Sequence, residues 1–344
     1  MPTTNELLQS RAVSHAHYLE RYKTQVVKRI LEILRTSERS IVERLQAMDP
    51  DSFSRQRLER LLEEIRGINA ESVAELEIGL DDELREFGAY ESEWQAREIQ
   101  SAVPIEINIT QPSPDQVYAA VQSRPFDGMI LADQVRQYGN ARVQQIERAV
   151  RQGWIEGETV QRIARRVRGT RAANYTDGVI ATSRRQAESL VRTAVNHTHT
   201  VARQSLYDSN RDLIKGIQYV ATLDNRTTMI CASLDGQVFP IDEGPRPPQH
   251  MGCRSTSVPV VKSWRELGID LDDAPEGTRA SMNGQVPAKE TYSSWLRKQP
   301  AATQREVLGE SRYKMFRDGT PIDRFVADGR VLTLEQLRKK EAAA

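Results

Sequence analysis

The spacing of apolar residues predicts helices over most of the first hundred positions. Apolar side chains recur every three or four residues at positions 26–45, at 58–68 and again from about 70 to 94, which is typical of helices with one buried face. Asp49-Pro50-Asp51 separates the first two stretches, because proline interrupts a helix. We therefore expect three helices in a hairpin or three-helix assembly, with no cluster of catalytic side chains.

A linker and a second group of helices follow. Residues 101–114 contain three prolines among β-branched residues, which argues against a helix there. Helical spacing resumes at Pro114 or Asp115, breaks at 124–128, and returns at 131–152, 158–168 and 179–206. A helix-turn-helix that reads DNA sequence is not favoured, since the segment joining the last two helices is long. His197 and His199 are expected to be packed or surface polar residues.

The pattern changes to short strands between residues 217 and 261. Residues 217–223, 237–241 and 256–261 are rich in β-branched side chains and predict three strands. Residues 227–233 predict a short helical turn, and Asp235-Gly236 predicts a hairpin turn, because glycine accepts a positive φ at little cost. A unit this small has little core of its own, so we expect a cross-link, a metal or a neighbouring domain to stabilise it.

The C-terminal part predicts loops and short helices. Residues 263–267 begin a short helix, 268–287 form a loop rich in Asp, Gly and Pro, and helices follow at 294–299 and 303–308. Thr333 and Gln336 have the spacing of a capping box at the start of a last helix. The fold class is therefore α+β and predominantly α-helical, with helical N-terminal and middle regions, a small antiparallel β unit and a helical C-terminal extension.

Composition excludes several classes of protein. The 344 residues are 38% hydrophobic and 28% charged, which is typical of a soluble chain with much polar surface. No apolar run approaches the roughly 20 residues that cross a bilayer, and the N-terminus lacks a signal-peptide pattern. Two cysteines exclude a disulfide-rich scaffold and indicate folding in a reducing cytoplasm.

Charge is distributed unevenly although the net charge is zero. Residues 38–100 carry about nine more acidic than basic side chains, and residues 135–215 carry about eight more basic than acidic ones. Each excess is consistent with a solvated helix face. The alternative is that the basic part contacts nucleic-acid phosphates without sequence specificity, and its candidate residues are Arg162, Arg165, Arg166 and Arg168.

Both cysteines lie in the β unit, together with a histidine. His250 and Cys253 form an H-x-x-C pattern, and Cys231 precedes them. Thiolate and imidazole are ligands that zinc prefers, so these three residues are candidate metal ligands, with Asp224, Asp235 or water as the fourth. A Cys231–Cys253 disulfide and a pair of free, packed thiols are the alternatives.

Five polar residues and a glycine lie close to this group. Asp224 and Arg226 suggest an ion pair or a turn in which Asp224 caps the amides of Thr227 and its neighbour. Arg226 has two other interpretations, a pair with Asp235 or a phosphate contact. The role of Arg254 has the same alternatives as that of Arg226. Asp235 and Gly236 form the predicted turn.

These residues resemble the signature of the Mu F-like phage head morphogenesis family, which consists of minor capsid proteins of tailed phages. The resemblance is carried by D-N-R-T at 224–227, Cys231, L-D-G at 234–236 and P-P-x-H-x-x-C-R at 247–254. Further similar pieces are Arg192-Thr193 on the preceding helix, Y-S-S-W-L at 292–296, V-L-G at 307–309 and L-T-L-E-Q-L at 332–337. The chain departs from the family at three positions. Thr228 replaces the first Cys of a common C-x-x-C, Ala194 replaces an acidic residue, and Ser255 replaces a Cys.

The resemblance implies a segmented structural protein. Its segments are 1–100 (acidic, helical), 101–130 (linker and connecting helix), 131–262 (Mu F-like domain) and 263–344 (C-terminal extension). The expected function is head morphogenesis at the portal vertex, with a portal protein, a major capsid or scaffolding protein and packaged double-stranded DNA as partners, and no membrane. The expected location is the virion, in the capsid interior or at the portal vertex, after assembly in the host cytoplasm.

Two other functions are weighed against this one. A metal-dependent hydrolase or nuclease would use Cys231, His250 and Cys253, but the chain has no H-E-x-x-H, G-x-S-x-G or P-loop and no evident general base. A DNA-binding module would use the arginine-rich middle. We expect no enzymatic activity.

Overall fold

The computed structural model describes residues 4–48, 54–103, 106–263, 265–266 and 278–342. Two long helices dominate the N-terminal part, α1 (Thr4–Gln46) and α2 (Arg55–Ala102). The second and third predicted helices are one continuous helix, which corrects the expectation of three. The predicted interruption at 49–51 lies outside the described residues.

Four helices form the middle of the chain, and all four begin within two residues of their predicted positions. They are α3 (Pro114–Ser123), α4 (Leu131–Ile155), α5 (Val160–Arg168) and α6 (Val179–Asp208). The α4 helix continues to Ile155, past the position where Gly153 predicted a turn. Thr159 is the N-cap of α5, since its side chain accepts a hydrogen bond from the amide of Arg162, as short polar side chains do at helix starts.

A three-stranded antiparallel sheet follows, which confirms the predicted β unit. Strand β1 (Ile214–Val220) pairs on one side with β2 (Val238–Phe239) and on the other with β3 (Thr256–Val261). A short helix, α7 (Met229–Leu234), lies between β1 and β2. Asp235-Gly236 therefore joins a helix to a strand and is not the turn of a hairpin, although Gly236 does have the positive φ of 81° that a glycine allows.

The C-terminal part contains more regular structure than the sequence predicted. Its elements are β4 (Thr278–Ser281), β5 (Gly284–Pro287), α8 (Tyr292–Arg297), α9 (Ala301–Arg317), a 3₁₀ helix (Ile322–Phe325), β6 (Val326–Ala327), β7 (Arg330–Val331) and α10 (Leu334–Ala342). Residues 278–287 are a hairpin, so this part of the predicted loop is corrected. The rest of that loop, residues 268–277, lies outside the described residues, as do 264 and 267 of the short helix predicted at 263–267. The described residues 265–266 of that predicted helix form a turn.

The capping box predicted at the start of α10 is confirmed. The Thr333 amide donates to the side chain of Gln336 at 2.8 Å, and the Gln336 amide donates to the hydroxyl of Thr333 at 3.2 Å. These two bonds satisfy amides that have no partner inside a helix.

The chain divides into two compact units. Unit 1 comprises Met1–Glu20, Gly88–Val121 and Asn196–Ala344, and unit 2 comprises Arg21–Phe87 and Gln122–Val195. Both contain parts of the segments 1–100 and 131–262 that the sequence suggested. Unit 2 has a core built from α1, α2, α4 and α5, whereas unit 1 contains the sheet, with Cys231 and Cys253 in a small core beside Tyr219.

Candidate functional site

One short helix and one loop bring Cys231, His250 and Cys253 together. Thr228 is the N-cap of α7, and its hydroxyl accepts a hydrogen bond from the Cys231 amide at 3.4 Å, which fixes Cys231 in the first turn. His250 and Cys253 lie in the loop between β2 and β3, where the Cys253 amide donates to the His250 carbonyl at 3.1 Å. Gly252 has a φ of 74° in this turn. The three residues predicted as metal ligands are thus adjacent.

The ligand atoms of these three residues are at metal-site distances. The Sγ atom of Cys231 is 3.7 Å from the Sγ of Cys253 and 3.4 Å from the Nε2 of His250, and all three atoms lie within 4.8 Å of one another. Zinc bonds of about 2.3 Å to sulfur and about 2.05 Å to nitrogen give tetrahedral edges of about 3.8 Å and about 3.6 Å. The group therefore fits three corners of a zinc tetrahedron.

Threonine, and not aspartate, is a further oxygen-bearing side chain that contacts this group. The Thr228 Oγ1 atom is 3.1 Å from the Nε2 of His250, and no carboxylate of the described residues belongs to this ligand group. Asp224 and Asp235 were expected as alternatives, but each forms a two-point ion pair with an arginine. Their oxygens are already occupied, so the protein supplies two sulfurs, one imidazole and a neutral hydroxyl.

The two thiols share a hydrogen bond and are not joined. A disulfide requires sulfurs about 2.05 Å apart, and both cysteines are free and buried. The hydrogen bond from Cys231 lowers the pKa of Cys253, and the same bond together with burial raises the pKa of Cys231. Tyr219 donates its hydroxyl to the Cys231 sulfur at 3.3 Å, and burial raises the pKa of that hydroxyl. Thiolate character is therefore concentrated on Cys253.

Asp224 pairs with Arg254 and not with Arg226. The guanidinium of Arg254 donates to Asp224 at 2.6 and 2.9 Å. Burial opposes ionisation of Asp224, but these bonds from Arg254 outweigh it and lower the pKa. Asp224 also accepts from the Arg226 amide and the Thr227 hydroxyl. Arg226 itself is exposed, and Asp235 is bound by Arg279 instead. Asp224 thus holds the turn before α7, whereas the N-cap of α7 is Thr228.

Asp235 is the centre of a buried network that the sequence did not predict. Its carboxylate accepts from the amides of Ala221 and Tyr292, both at 2.7 Å, and from the Arg279 guanidinium at 3.0 and 3.1 Å. Arg279 is 1% exposed and donates also to the carbonyls of Ala221 and Glu290. The network connects the sheet to the C-terminal extension, which gives Asp235 a structural role.

The four arginines proposed for nucleic-acid contact differ in their surroundings. Arg166 pairs with Glu156 and Glu158, and Arg162 approaches Glu158 at 3.7 Å. Arg165 and Arg168 are exposed. The guanidinium of Arg168 lies 5.5 Å from the centre of the Tyr175 ring. Two of the four charges are thus balanced within the chain.

A second titratable cluster, His15, Glu91 and His199, lies in unit 1 and was missed. Glu91 accepts from His15 at 2.6 Å and from His199 at 2.8 Å, and Arg203 is 3.4 Å away. The other nitrogen of His199 contacts the Thr256 hydroxyl at 3.0 Å. These are hydrogen-bond distances, shorter than the separation of two ligands across a metal, and a nearby guanidinium disfavours a cation. We therefore interpret the cluster as a buried charge network.

Burial and neighbouring charges fix the protonation of this network. Burial lowers the pKa of His199 to about 3, and the Arg203 guanidinium acts in the same direction. Burial alone would raise the pKa of Glu91, but His199, His15 and Arg203 together lower it. The folded chain therefore holds a carboxylate and a guanidinium beside a neutral His199. Sequence spacing could not reveal this set, because its members come from three separate helices.

Comparison with known families supports the resemblance over one segment. Residues 144–258 match the family model described as Phage Mu protein F like protein. The match begins within α4, ends within β3 and includes all three residues of the Cys/His group. Searches of curated proteins and of solved structures found no match. Among the described residues, no helix has the length and apolar character needed to cross a membrane.

Proposed function

We propose that this chain is a structural protein of phage head morphogenesis that acts at the portal vertex. The observation that carries the proposal is the match of residues 144–258 to the Mu F-like family, which contains the complete Cys231, His250 and Cys253 group. The resemblance of the flanking motifs extends the same interpretation to the C-terminal extension.

The enclosure of the Cys/His group supports a structural role. Cys231 and Cys253 are 1% and 2% exposed, and His250 is half-buried. A substrate needs access to a reacting atom and a cavity beside it. Two surface cavities of the chain, of about 460 and about 260 Å³, are lined by other residues. We therefore expect no turnover at this group.

Zinc is the cofactor that the group fits best. Its protein ligands would be Cys231, His250 and Cys253, and the fourth corner of the zinc tetrahedron would lie beside Thr228. When bound, zinc would cross-link α7 to the loop before β3, which is the stabilisation that a small sheet requires. Tyr219 would donate a hydrogen bond to one of the ligand sulfurs, as partners outside the ligand set do in metal sites.

The acidic part of α2 is our proposed docking surface for a portal or capsid partner. Glu71, Glu75 and Glu77 are exposed on this helix, and Ile78 beside them is 65% exposed. An apolar side chain among charges is typical of a protein interface. Packaged DNA is the second proposed partner, through arginines of unit 2.

Co-expression with the portal protein of the same phage tests the proposal. We expect the tagged chain to retain the portal protein on affinity purification, and the double variant Glu71→Lys/Glu75→Lys to retain much less. Glu335→Lys, which changes an exposed acid on α10, serves as the matched control. Equal retention of an unrelated phage's portal protein, or none of the cognate one, would contradict the portal association.

The alternative is a metal-dependent hydrolase or nuclease. One observation favours it: three protein ligands with a fourth corner not filled by a charged group is an arrangement found in catalytic zinc sites. Nuclease and esterase assays of zinc-loaded protein discriminate the two functions. Turnover that is lost in His250→Ala while the fold is retained would establish the enzyme and exclude the structural proposal.

A further inference from the structure

The cavity of about 460 Å³ in unit 2 is lined by arginines and one tyrosine. Its basic side chains are Arg35, Arg39, Arg168 and Arg184, from α1, α5 and α6. Two glutamates also line it. Glu38 is 3% exposed and is bound at two points by Arg184, whereas Glu43 is exposed. The lining therefore has four arginines against two glutamates, and Arg35 also pairs with Glu32 outside the lining at 2.5 Å.

Tyr175 presents an aromatic face in this cavity. It is 41% exposed, and the guanidinium of Arg168 lies 5.5 Å from its ring centre. Its φ is +60°, a left-handed conformation that is uncommon and costly for a bulky side chain. Such a conformation persists only where the surroundings impose it, and it is often found at binding sites.

Internal hydrogen bonds hold the loop that carries Tyr175. Asp177 accepts from the amide and the hydroxyl of Thr170 at 2.7 and 2.8 Å, and the Tyr175 amide donates to the Thr170 carbonyl at 2.8 Å. Gly178 packs against Gly169 so closely that an added Cβ would lie 2.3 Å from the Gly169 nitrogen. The backbone that carries the ring is therefore held in place before any ligand arrives.

We propose that this cavity binds one nucleotide unit, with its phosphate between Arg39 and Arg168 and its base on the ring of Tyr175. A positive groove with an aromatic platform is the arrangement that binds nucleotides in unpaired strands. Guanidinium groups suit phosphate oxygens, because they donate two parallel hydrogen bonds. The inference rests on the proposed function only for the source of the nucleotide, which is packaged DNA or a free nucleotide.

The site differs from the DNA contact that the sequence suggested. Arg162 and Arg166 are paired with glutamates and do not line the cavity. Only Arg168 of that set does. A base inside a duplex cannot stack on a side chain, so the site selects single strands, ends or free nucleotides over intact duplex.

Fluorescence anisotropy with the full-length chain tests the proposal. The probes are a labelled 20-nucleotide oligo(dT), the same length of duplex, and unlabelled thymidine monophosphate as competitor. We expect oligo(dT) to bind at least fivefold more tightly than duplex, with affinity that falls as salt rises. Competition by the mononucleotide at similar concentration would assign the free nucleotide as the source.

Variants with matched controls show which side chains bind the oligonucleotide. Arg39→Gln/Arg168→Gln should weaken oligo(dT) binding about tenfold or more, and Tyr175→Leu by a similar factor, whereas Tyr175→Phe and Arg338→Gln, an exposed arginine on α10 of unit 1, should bind as the unchanged chain does. Tyr175→Gly should lose binding while its thermal stability is equal or higher, because glycine relieves the left-handed backbone. No oligo(dT) binding, equal loss in Arg338→Gln, or binding unchanged in Tyr175→Gly would overturn the site. A negative result here leaves portal association, measured separately, unaffected.

Discussion

The Sγ atoms of Cys231 and Cys253 lie 3.7 Å apart, which is about the edge of a zinc–sulfur tetrahedron and far longer than a disulfide bond. One sulfur comes from the first turn of α7 and the other from the loop before β3. The pair therefore links two segments that are 22 residues apart and that the small sheet alone would hold weakly.

Replacing Thr228 by cysteine should complete a four-ligand site. The Thr228 hydroxyl is 3.1 Å from the Nε2 of His250, so a sulfur there would reach the fourth corner. We expect Thr228→Cys to raise zinc affinity at least tenfold in competition with a chromophoric chelator. Thr228→Ser, which keeps the hydroxyl and the helix cap, should behave as the unchanged chain does. Equal affinity of the two variants would contradict the assigned geometry.

His250→Ala should remove the response of stability to zinc. The imidazole is one of three protein ligands, and a metal that binds only the folded chain stabilises it by mass action. We expect the melting temperature of the unchanged chain to rise with added zinc and that of His250→Ala to stay constant. His17→Ala changes an exposed histidine and should retain the full response. The same response in all three proteins would place zinc elsewhere.

Removing Arg279 should destabilise the fold strongly. Asp235 and Arg279 are 0% and 1% exposed in their side chains, and loss of the arginine would leave a buried, unbalanced carboxylate. We expect Arg279→Met to lower the free energy of unfolding by about 3–5 kcal/mol in urea titrations. Arg211→Met breaks an exposed pair with Asp242 and should leave the free energy of unfolding almost unchanged, because water already screens this pair. Similar losses of stability in Arg279→Met and Arg211→Met would contradict the claim that burial makes the Asp235–Arg279 pair costly to break.

Acid should destabilise unit 1 through His199. Its pKa is about 3 in the folded chain and about 6.5 when unfolded, so in this window only the unfolded state binds the proton. Stability therefore falls as pH is lowered from about 6.5, with a slope of up to about 1.4 kcal/mol per pH unit. Glu91, whose pKa is also lowered, adds a further loss below about 4.5.

Denaturation curves at several pH values isolate the contribution of His199. His199 is surrounded by His15, Glu91 and Arg203, so His199→Gln will change the overall stability. The quantity that isolates His199 is therefore the slope of the free energy of unfolding against pH, above pH 4.5. We expect the free energy of unfolding to vary less with pH in His199→Gln than in the unchanged chain, and to vary equally in His17→Gln. An equally steep slope in His199→Gln would show that other groups take up the proton.

Local patterns predicted the elements better than the contacts between them. The capping box at Thr333 and Gln336 and the starts of α3 to α6 follow from spacing and turn residues close in sequence. The hairpin at 278–287 was missed because Gly284 and Pro287 were interpreted as loop residues, although a turn glycine between short strands is also typical of a hairpin.

The partners of charged residues could not be found from sequence. Asp224 is two residues from Arg226, yet it pairs with Arg254, 30 positions away, and Asp235 pairs with Arg279, 44 positions away. The side chains of neighbouring residues on a turn point in different directions, whereas folding around the sheet brings residues that are distant in sequence close together in space. The Cys/His group was predictable because its two residue types are rare in this chain, with two cysteines and five histidines, and zinc chemistry selects them together.

Quantitative mass spectrometry of purified phage heads tests the central claim most directly. Heads are assembled from the portal, scaffolding and major capsid proteins of the same phage, in the presence and absence of this chain. The account predicts that the chain co-purifies with the heads in a few copies per portal ring and that heads lacking the portal protein do not retain it. Heads that exclude the chain, or retain it equally without a portal, would contradict the account.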